Sequence, residues 1–293
     1  MTMFVKMSRL IFVRLTIFLS VAALSFLTLN TAVAQPASER QKTVKAGDAT
    51  IYVTVRGQGE PIVFIPSFGR GAEDFDDLSK RLVQAGYQAI LPQPRGIGGS
   101  TGPMNTLTLH VEAADIAAVI QSLAGGRAIV LGHAHGNGVA RMVATDHPTL
   151  VKQVILLAAG GMVPASADVR VAFERVFNPV LSTEDRLAAI QRAFFANGHD
   201  PKIWEKGWYY DVAAAQRAGA ARTPLAEWWP GGSGPILVLQ ATEDALAVPE
   251  NSKRLAAEFP NRVTLVEIPN SGHAMLPEQP ERIAAAILAH IRR

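Results

Sequence analysis

Residues 129–138 read Ile129-Val130-Leu131-Gly132-His133-Ala134-His135-Gly136-Asn137-Gly138. A short apolar run leads straight into two glycines, one two places before Ala134 and one two places after it, and a helix-forming stretch follows to residue 145. This is the strand–turn–helix setting of the G-x-S-x-G elbow, which raises a nucleophile above the end of a sheet. Gly132 and Gly136 are demanded because the turn is tight and a side chain at either place would clash with its neighbours. The residue between them sits in strained backbone at a helix N-terminus, where free N–H groups and partial positive charge favour an anion. Here that residue is alanine, which has no nucleophilic atom.

On both sides of this segment, short runs rich in Val and Ile alternate with amphipathic stretches. Strands are expected over 51–55, 61–65, 87–91, 127–131, 151–158, 236–239 and 263–268, and helices over 75–84, 111–123 and 280–291. Most strand runs are continuously apolar, which indicates a mostly parallel sheet buried on both faces, an α/β architecture. Residues 164–232 break the rhythm. They show no convincing strand, read as several helices, and hold all four tryptophans, Trp204, Trp208, Trp228 and Trp229. An aromatic helical insertion between two core strands reads as a lid over the edge where open parallel sheets bind ligands. The tryptophans are the expected substrate-binding residues. The core is then 35–163 and 233–293.

The chain has 293 residues, 48% of them hydrophobic and 18% charged, enough for a substantial core and against disorder as its main state. It has no cysteine, which excludes disulfides, a thiol nucleophile and cysteine-ligated metals. The formal charge of +3 comes from Lys6, Arg9 and Arg14 near the start, since the remainder is balanced. No basic cluster suggests nucleic acid. His133 and His135 flank the elbow without an acid at metal-binding spacing, so no metal is expected. GIGGS at 96–100 is too short and misplaced for a dinucleotide site, and no phosphate-binding loop occurs. No cofactor is expected.

Five segments, PIVFIPSFGRGAEDF, QPRGIGGSTGP, GHAHGNG, LQATEDALAVP and PNSGHAMLPEQPERI, together resemble the α/β-hydrolase family over nearly all of the chain beyond the leader. The likeness is to its lidded esterase and epoxide-hydrolase-like members. The order of nucleophile, acid and histidine agrees with that family. By position, the resemblance makes Asp244 the triad acid, His273 the base, and Ala134 the occupant of the nucleophile position. It makes the N–H groups of Phe68 and His135 the oxyanion donors. The chain departs from the family pattern at Pro66-Ser67, where His-Gly is common, and at Gln93-Pro94, which replaces the Asp before Arg95-Gly96.

Ala134 is either the natural residue or a replacement of serine; the intact leader marks an unmodified precursor and favours the natural reading. The resemblance implies hydrolysis of a small apolar ester or lactone. The alanine opens an alternative, a non-covalent His–Asp dyad enzyme: a lyase, a water-activating hydrolase or a cofactor-free oxygenase. A non-catalytic binding relative is a third reading. The substrate in each enzymatic case is a small apolar or aromatic molecule. Glu243 reads as a solvated neighbour of Asp244, His133 as packed behind the elbow, Arg95 as a fork to nearby carbonyls, and Asn137 as a structural residue bonding backbone.

The first 34 residues carry those three cations, then the apolar run LTIFLSVAALSFLTL, then Ala32-Val33-Ala34 before Gln35. This order is that of a cleaved secretory signal. It implies a periplasmic or secreted protein with no stable membrane anchor after cleavage. Mass spectrometry of protein recovered after export is expected to give Gln35 as the N-terminal residue; a retained Met1 would exclude the reading.

Overall fold

The computed structural model describes residues 39–292, so the leader expected over 1–34 lies outside the described residues. Eight strands form one sheet: β1 (Glu39–Ala46), β2 (Ala49–Arg56), β3 (Glu60–Ile65), β4 (Tyr87–Pro92), β5 (Ala128–His133), β6 (Val151–Leu157), β7 (Ile236–Ala241) and β8 (Val263–Ile268). Their order is β1-β2-β4-β3-β5-β6-β7-β8. β2 runs antiparallel to β1 and β4, and every pairing from β4 to β8 is parallel.

Side chains alternate across a strand, and here both faces are buried. Val63, Val130, Leu156 and Val238 enter one apolar cluster, while Phe64, Leu131, Ile155 and Leu237 enter the other. Four helices cover the first face or the second with apolar stripes. α1 (Asp76–Gln84) and α10 (Pro280–Ile291) bring Leu78, Leu82, Ile283 and Ile287 to one side. α2 (Leu109–Leu123) and α3 (His135–Asp146) bring Ile116, Val119, Val139 and Val143 to the other. β1 was not legible as a strand. Glu39–Thr43 are exposed and only Val44 and Ala46 of its eight residues are buried, so this edge strand has no extended apolar pattern.

Between β6 and β7 the chain forms α4 (Ala167–Val176), α5 (Thr183–Phe194), α6 (Tyr210–Ala221) and the short α7 (Leu225–Trp228). This is a helical, lid-like insertion with a small apolar cluster of its own, built on Val176, Ile190, Phe194 and Trp204. Beyond β7 come α8 (Pro249–Glu258), which the sequence reading did not mark, and the single-turn α9 (Met275–Glu278) before α10. No helix among the described residues is long and apolar enough to cross a membrane.

β5 ends at His133 and α3 begins at His135, so one residue makes the reversal. A Cβ on Gly136 would stand 2.1 Å from the carbonyl oxygen of Ile65, and one on Gly132 would stand 2.1 Å from that of Gly136. Both obstacles are backbone and cannot swing aside. Gly138 differs: its nearest neighbour would be a Leu109 methyl at 3.4 Å, an ordinary contact. G136A is therefore expected to destabilise the protein by about 3 kcal/mol or more, the upper range of core overpacking. G138A is expected to be neutral or to stabilise by up to about 1 kcal/mol through helix propensity. Thermal and urea unfolding of the two variants check this; similar effects from both would refute the packing argument.

Candidate active site

Ala134 has φ 51° and ψ −111°, a left-handed conformation that an alanine seldom adopts. Its N–H donates to the carbonyl of Leu157 at 3.0 Å, tying the elbow to β6. Its own carbonyl accepts from the Asn137 backbone at 3.0 Å and from the Asn137 side-chain amide. Asn137 thus bonds backbone, in agreement with the reading of it as structural. Its Oδ1 accepts from Arg141, a fully buried side chain. That guanidinium also donates to the carbonyls of Trp229 and Gly160 at 3.3 and 2.8 Å and lies against the rings of Trp228 and Trp229. Burial pulls its pKa down to about 9, so it remains charged at neutral pH.

His273 and Asp244 come together from loops 29 positions apart. Nδ1 of His273 lies 3.1 and 3.0 Å from the two Asp244 oxygens, with both side chains buried. An ionised carboxylate only accepts, so Nδ1 carries the proton and Nε2 is left as a base. Oδ1 of Asp244 also accepts from the N–H groups of Leu246 and Ala247 at 2.9 and 2.7 Å. Glu243 is exposed, as expected of a solvated neighbour.

The loop carrying His273 is held from three sides. Glu278 accepts from Gly272 N–H at 2.6 Å and from Ala196 N–H at 2.8 Å, and burial pushes the Glu278 carboxyl above its usual range. Ala274 N–H donates to Phe194 O at 2.7 Å. Behind the elbow, Nε2 of fully buried His133 donates to the His273 carbonyl at 2.8 Å. Its Nδ1 has no partner among the described residues, and burial, aided by His273, lowers its pKa to about 3. His133 is therefore a neutral strut.

Phe68 and His135 stack with centroids 4.2 Å apart. Nε2 of His135 lies 3.0 Å from each oxygen of Glu112 on α2. Gln216 on α6 reaches the same network, donating to Glu112 at 3.3 Å and accepting from Gly69 N–H at 2.8 Å. Two more contacts bind this loop to the insertion: Tyr209 N–H donates to Gly69 O at 2.8 Å, and Arg70 donates to Lys206 O at 2.7 Å. The Arg70 guanidinium lies 4.8 and 4.7 Å from the rings of Trp204 and Trp208.

A cavity of about 460 Å³ opens beside these groups. Ala134, Phe68, His135, Asn137 and His273 line it together, with Leu109, Val163, Phe173, Trp228 and Leu246 as apolar wall. Arg170, Glu174 and Arg217 are its charged lining, and Arg217 is paired with Glu174.

Of the four tryptophans, only Trp228 lines that cavity. Trp204 is buried in the insertion's own cluster against Phe194, Phe195 and His133, and Trp208 packs on it. Trp229 is buried in the core and donates from Nε1 to Glu258 at 2.8 Å. Their concentration in one insertion reflects how that insertion is packed and fastened down. Phe68 and Phe173 supply the aromatic wall together with Trp228. Arg95 is a fork, but chiefly to a carboxylate: it meets both oxygens of Asp115 at 2.7 and 2.9 Å and the Pro103 carbonyl at 3.0 Å. Burial raises the Asp115 pKa against the pull of that arginine. Sequence reading missed Glu112, Gln216 and Arg141. For Glu112 a signal existed: it and Asp115 are carboxylates three apart in the mostly apolar helix LHVEAADIAAVIQSL. Among the described residues no group of three or more His, Asp or Glu side chains gathers as a metal ion needs.

Comparison with known proteins identifies the family. Residues 62–286 match the family model described as the alpha/beta hydrolase family. The chain is 25% identical over 269 residues to a non-heme chloroperoxidase of Streptomyces lividans, covering 80% of this chain and 92% of that protein. It is equally 25% identical over 265 residues to a 2-(acetamidomethylene)succinate hydrolase of Mesorhizobium japonicum, covering 84% and 93%. An esterase structure from Exiguobacterium antarcticum superposes with a TM-score of 0.73 at 21% identity, covering 87% of this chain and all of that one. With the sheet order, the insertion and the elbow in place, the chain belongs to the alpha/beta hydrolase family, as an enzyme that acts on small organic molecules.

Proposed function

We propose that the protein is an exported, water-activating hydrolase of a small apolar ester or lactone and that it works without an acyl-enzyme. The observation that carries this is the pairing of Ala134, which offers no nucleophile, with a His273–Asp244 dyad that is bonded and buried. A serine-dependent reaction has no use for the first, and a protein without acid–base chemistry has no use for the second. The apolar walls and modest volume of the cavity favour a small apolar substrate. Export to the periplasm or medium rests on the charge pattern, apolar run and Ala32-Val33-Ala34 of the leader.

In this reading, Nε2 of His273 takes a proton from water as the water oxygen bonds to the carbonyl carbon. The carbonyl pair moves onto its oxygen, which the N–H groups of Phe68 and His135 hold, helped by the N-terminus of α3. Asp244 keeps the ring in the tautomer that leaves Nε2 free and stabilises the imidazolium. Collapse of the tetrahedral species then breaks the bond to the alcohol oxygen, which requires a proton in its turn.

Two outcomes are expected. On a substrate found by screening esters, lactones and epoxides, H273A should lose turnover by roughly 10²–10⁴-fold, the range of positioned acid–base catalysis, and D244A should lose less. Normal turnover in H273A would remove the dyad from the reaction. The unaltered protein should resist a fluorophosphonate serine probe, whereas A134S should become labelled, because base and oxyanion donors already surround that position. Labelling of the unaltered protein near the elbow would mean that a different nucleophile operates.

A further inference from the structure

The cavity is flanked by two histidine–carboxylate pairs, and the reaction outlined above employs one. His273 meets both oxygens of Asp244 at 3.1 and 3.0 Å; His135 meets both oxygens of Glu112 at 3.0 Å. Both residues line the cavity that Ala134 lines. They are comparably enclosed, with 5% of the His273 side chain and 2% of the His135 side chain exposed. Glu112 takes Nε2 of His135, and Nδ1 has no hydrogen-bond partner among the described residues. Glu112 is itself fastened by Gln216, which also holds the oxyanion loop at Gly69.

Resting on the water-activating reading, we infer that Glu112 and His135 form a second dyad that protonates the departing alcohol oxygen, so that base and acid duties fall to different histidines. His273 takes the proton of the attacking water. The tetrahedral intermediate collapses, the carbonyl re-forms, the C–O bond breaks, and the alcohol oxygen takes a proton from the imidazolium of His135. The products are the acid and the alcohol. His273 is left with one proton more and His135 with one fewer, and transfer through solvent restores both. Glu112 stabilises the imidazolium as Asp244 stabilises that of His273. In the usual triad the attacking atom is covalently placed; here water is the nucleophile, and two fixed groups can act on its two sides.

The charged groups around His135 come from several elements. Glu112 touches it from α2; Asp115 and Arg95, paired together, lie along a small internal cavity beyond. His273, Arg170 and the Glu174–Arg217 pair stand around the large one. Among the described residues only Glu112 lies within ion-pair distance of the ring.

The test compares two butyrate esters, 4-nitrophenyl, whose leaving group needs no proton, and ethyl, whose alkoxide does. H135F retains the backbone N–H and the stack on Phe68; E112Q retains the shape of the carboxylate. H135F is expected to lower ethyl butyrate hydrolysis, followed by pH-stat, by roughly 10²–10⁴-fold more than it lowers 4-nitrophenyl butyrate hydrolysis, since any loss from the altered cavity wall or oxyanion loop falls on both esters alike. E112Q should show the same bias more weakly. With ethyl butyrate, the alkaline limb of the kcat/KM profile should vanish in H135F and the acid limb should persist. Equal losses on the two esters, or an alkaline limb that survives H135F, would overturn the second dyad and leave His135 as packing. Full activity in H273A is a different result: it refutes the water-activating reading itself.

Discussion

Helix α3 can reach its place only because Gly136 has no side chain. Its backbone lies against the end of β3, where a single added carbon would collide with the Ile65 carbonyl. That contact sets the start of α3 directly over the carboxyl ends of β3 and β5, so the residues that follow each strand meet at one point. Phe68, Ala134 and His135 are neighbours for this reason, and the left-handed backbone at Ala134 is the cost of the sharp reversal. A strained alanine costs about 1–3 kcal/mol. The surroundings hold it there through the Leu157 carbonyl and the Asn137–Arg141 bonds.

Charge is managed differently on the two sides of the elbow. Arg141, beneath it, has no carboxylate within ion-pair distance among the described residues and is sheltered by carbonyl dipoles and two indole faces. Such acceptors lessen the desolvation penalty of a buried cation without cancelling its charge. On the cavity side, carboxylates are matched to imidazoles, whose charge can change during a reaction. His133 between them is kept neutral by burial, so its bond to the His273 carbonyl does not compete with the chemistry.

The fold was legible because its strands are continuous apolar runs and the elbow glycines have fixed spacing. Asp244 and His273 were legible through the family resemblance of LQATEDALAVP and PNSGHAMLPEQPERI, in each of which a polar loop follows a strand, and the structure places the two side chains in contact. Glu112 was not, since it sits half-buried on a helix 23 positions from its partner, and no local spacing links the two. Three of the four tryptophans misled for a related reason: an indole that fastens an insertion and one that lines a cavity, as Trp228 does, have the same local sequence character. Edge strand β1 was lost among charged residues because only its last turnings face the core.

The grip of α6 on the loop after β3 bears on how molecules enter. Gln216 and Tyr209 hold Gly69, and Arg70 is bound to Lys206 and laid across two indoles, so Phe68 is positioned by the insertion as much as by the sheet. If the insertion swung away as one body, it would release that loop. The open state would then admit ligand but lack the donor geometry, and catalytic competence would belong to the closed state alone. Affinity for a transition-state mimic would accordingly be scaled by the closed fraction. Entry through the existing mouth avoids that tax, which gives a physical reason for a firmly seated insertion over a hinged one.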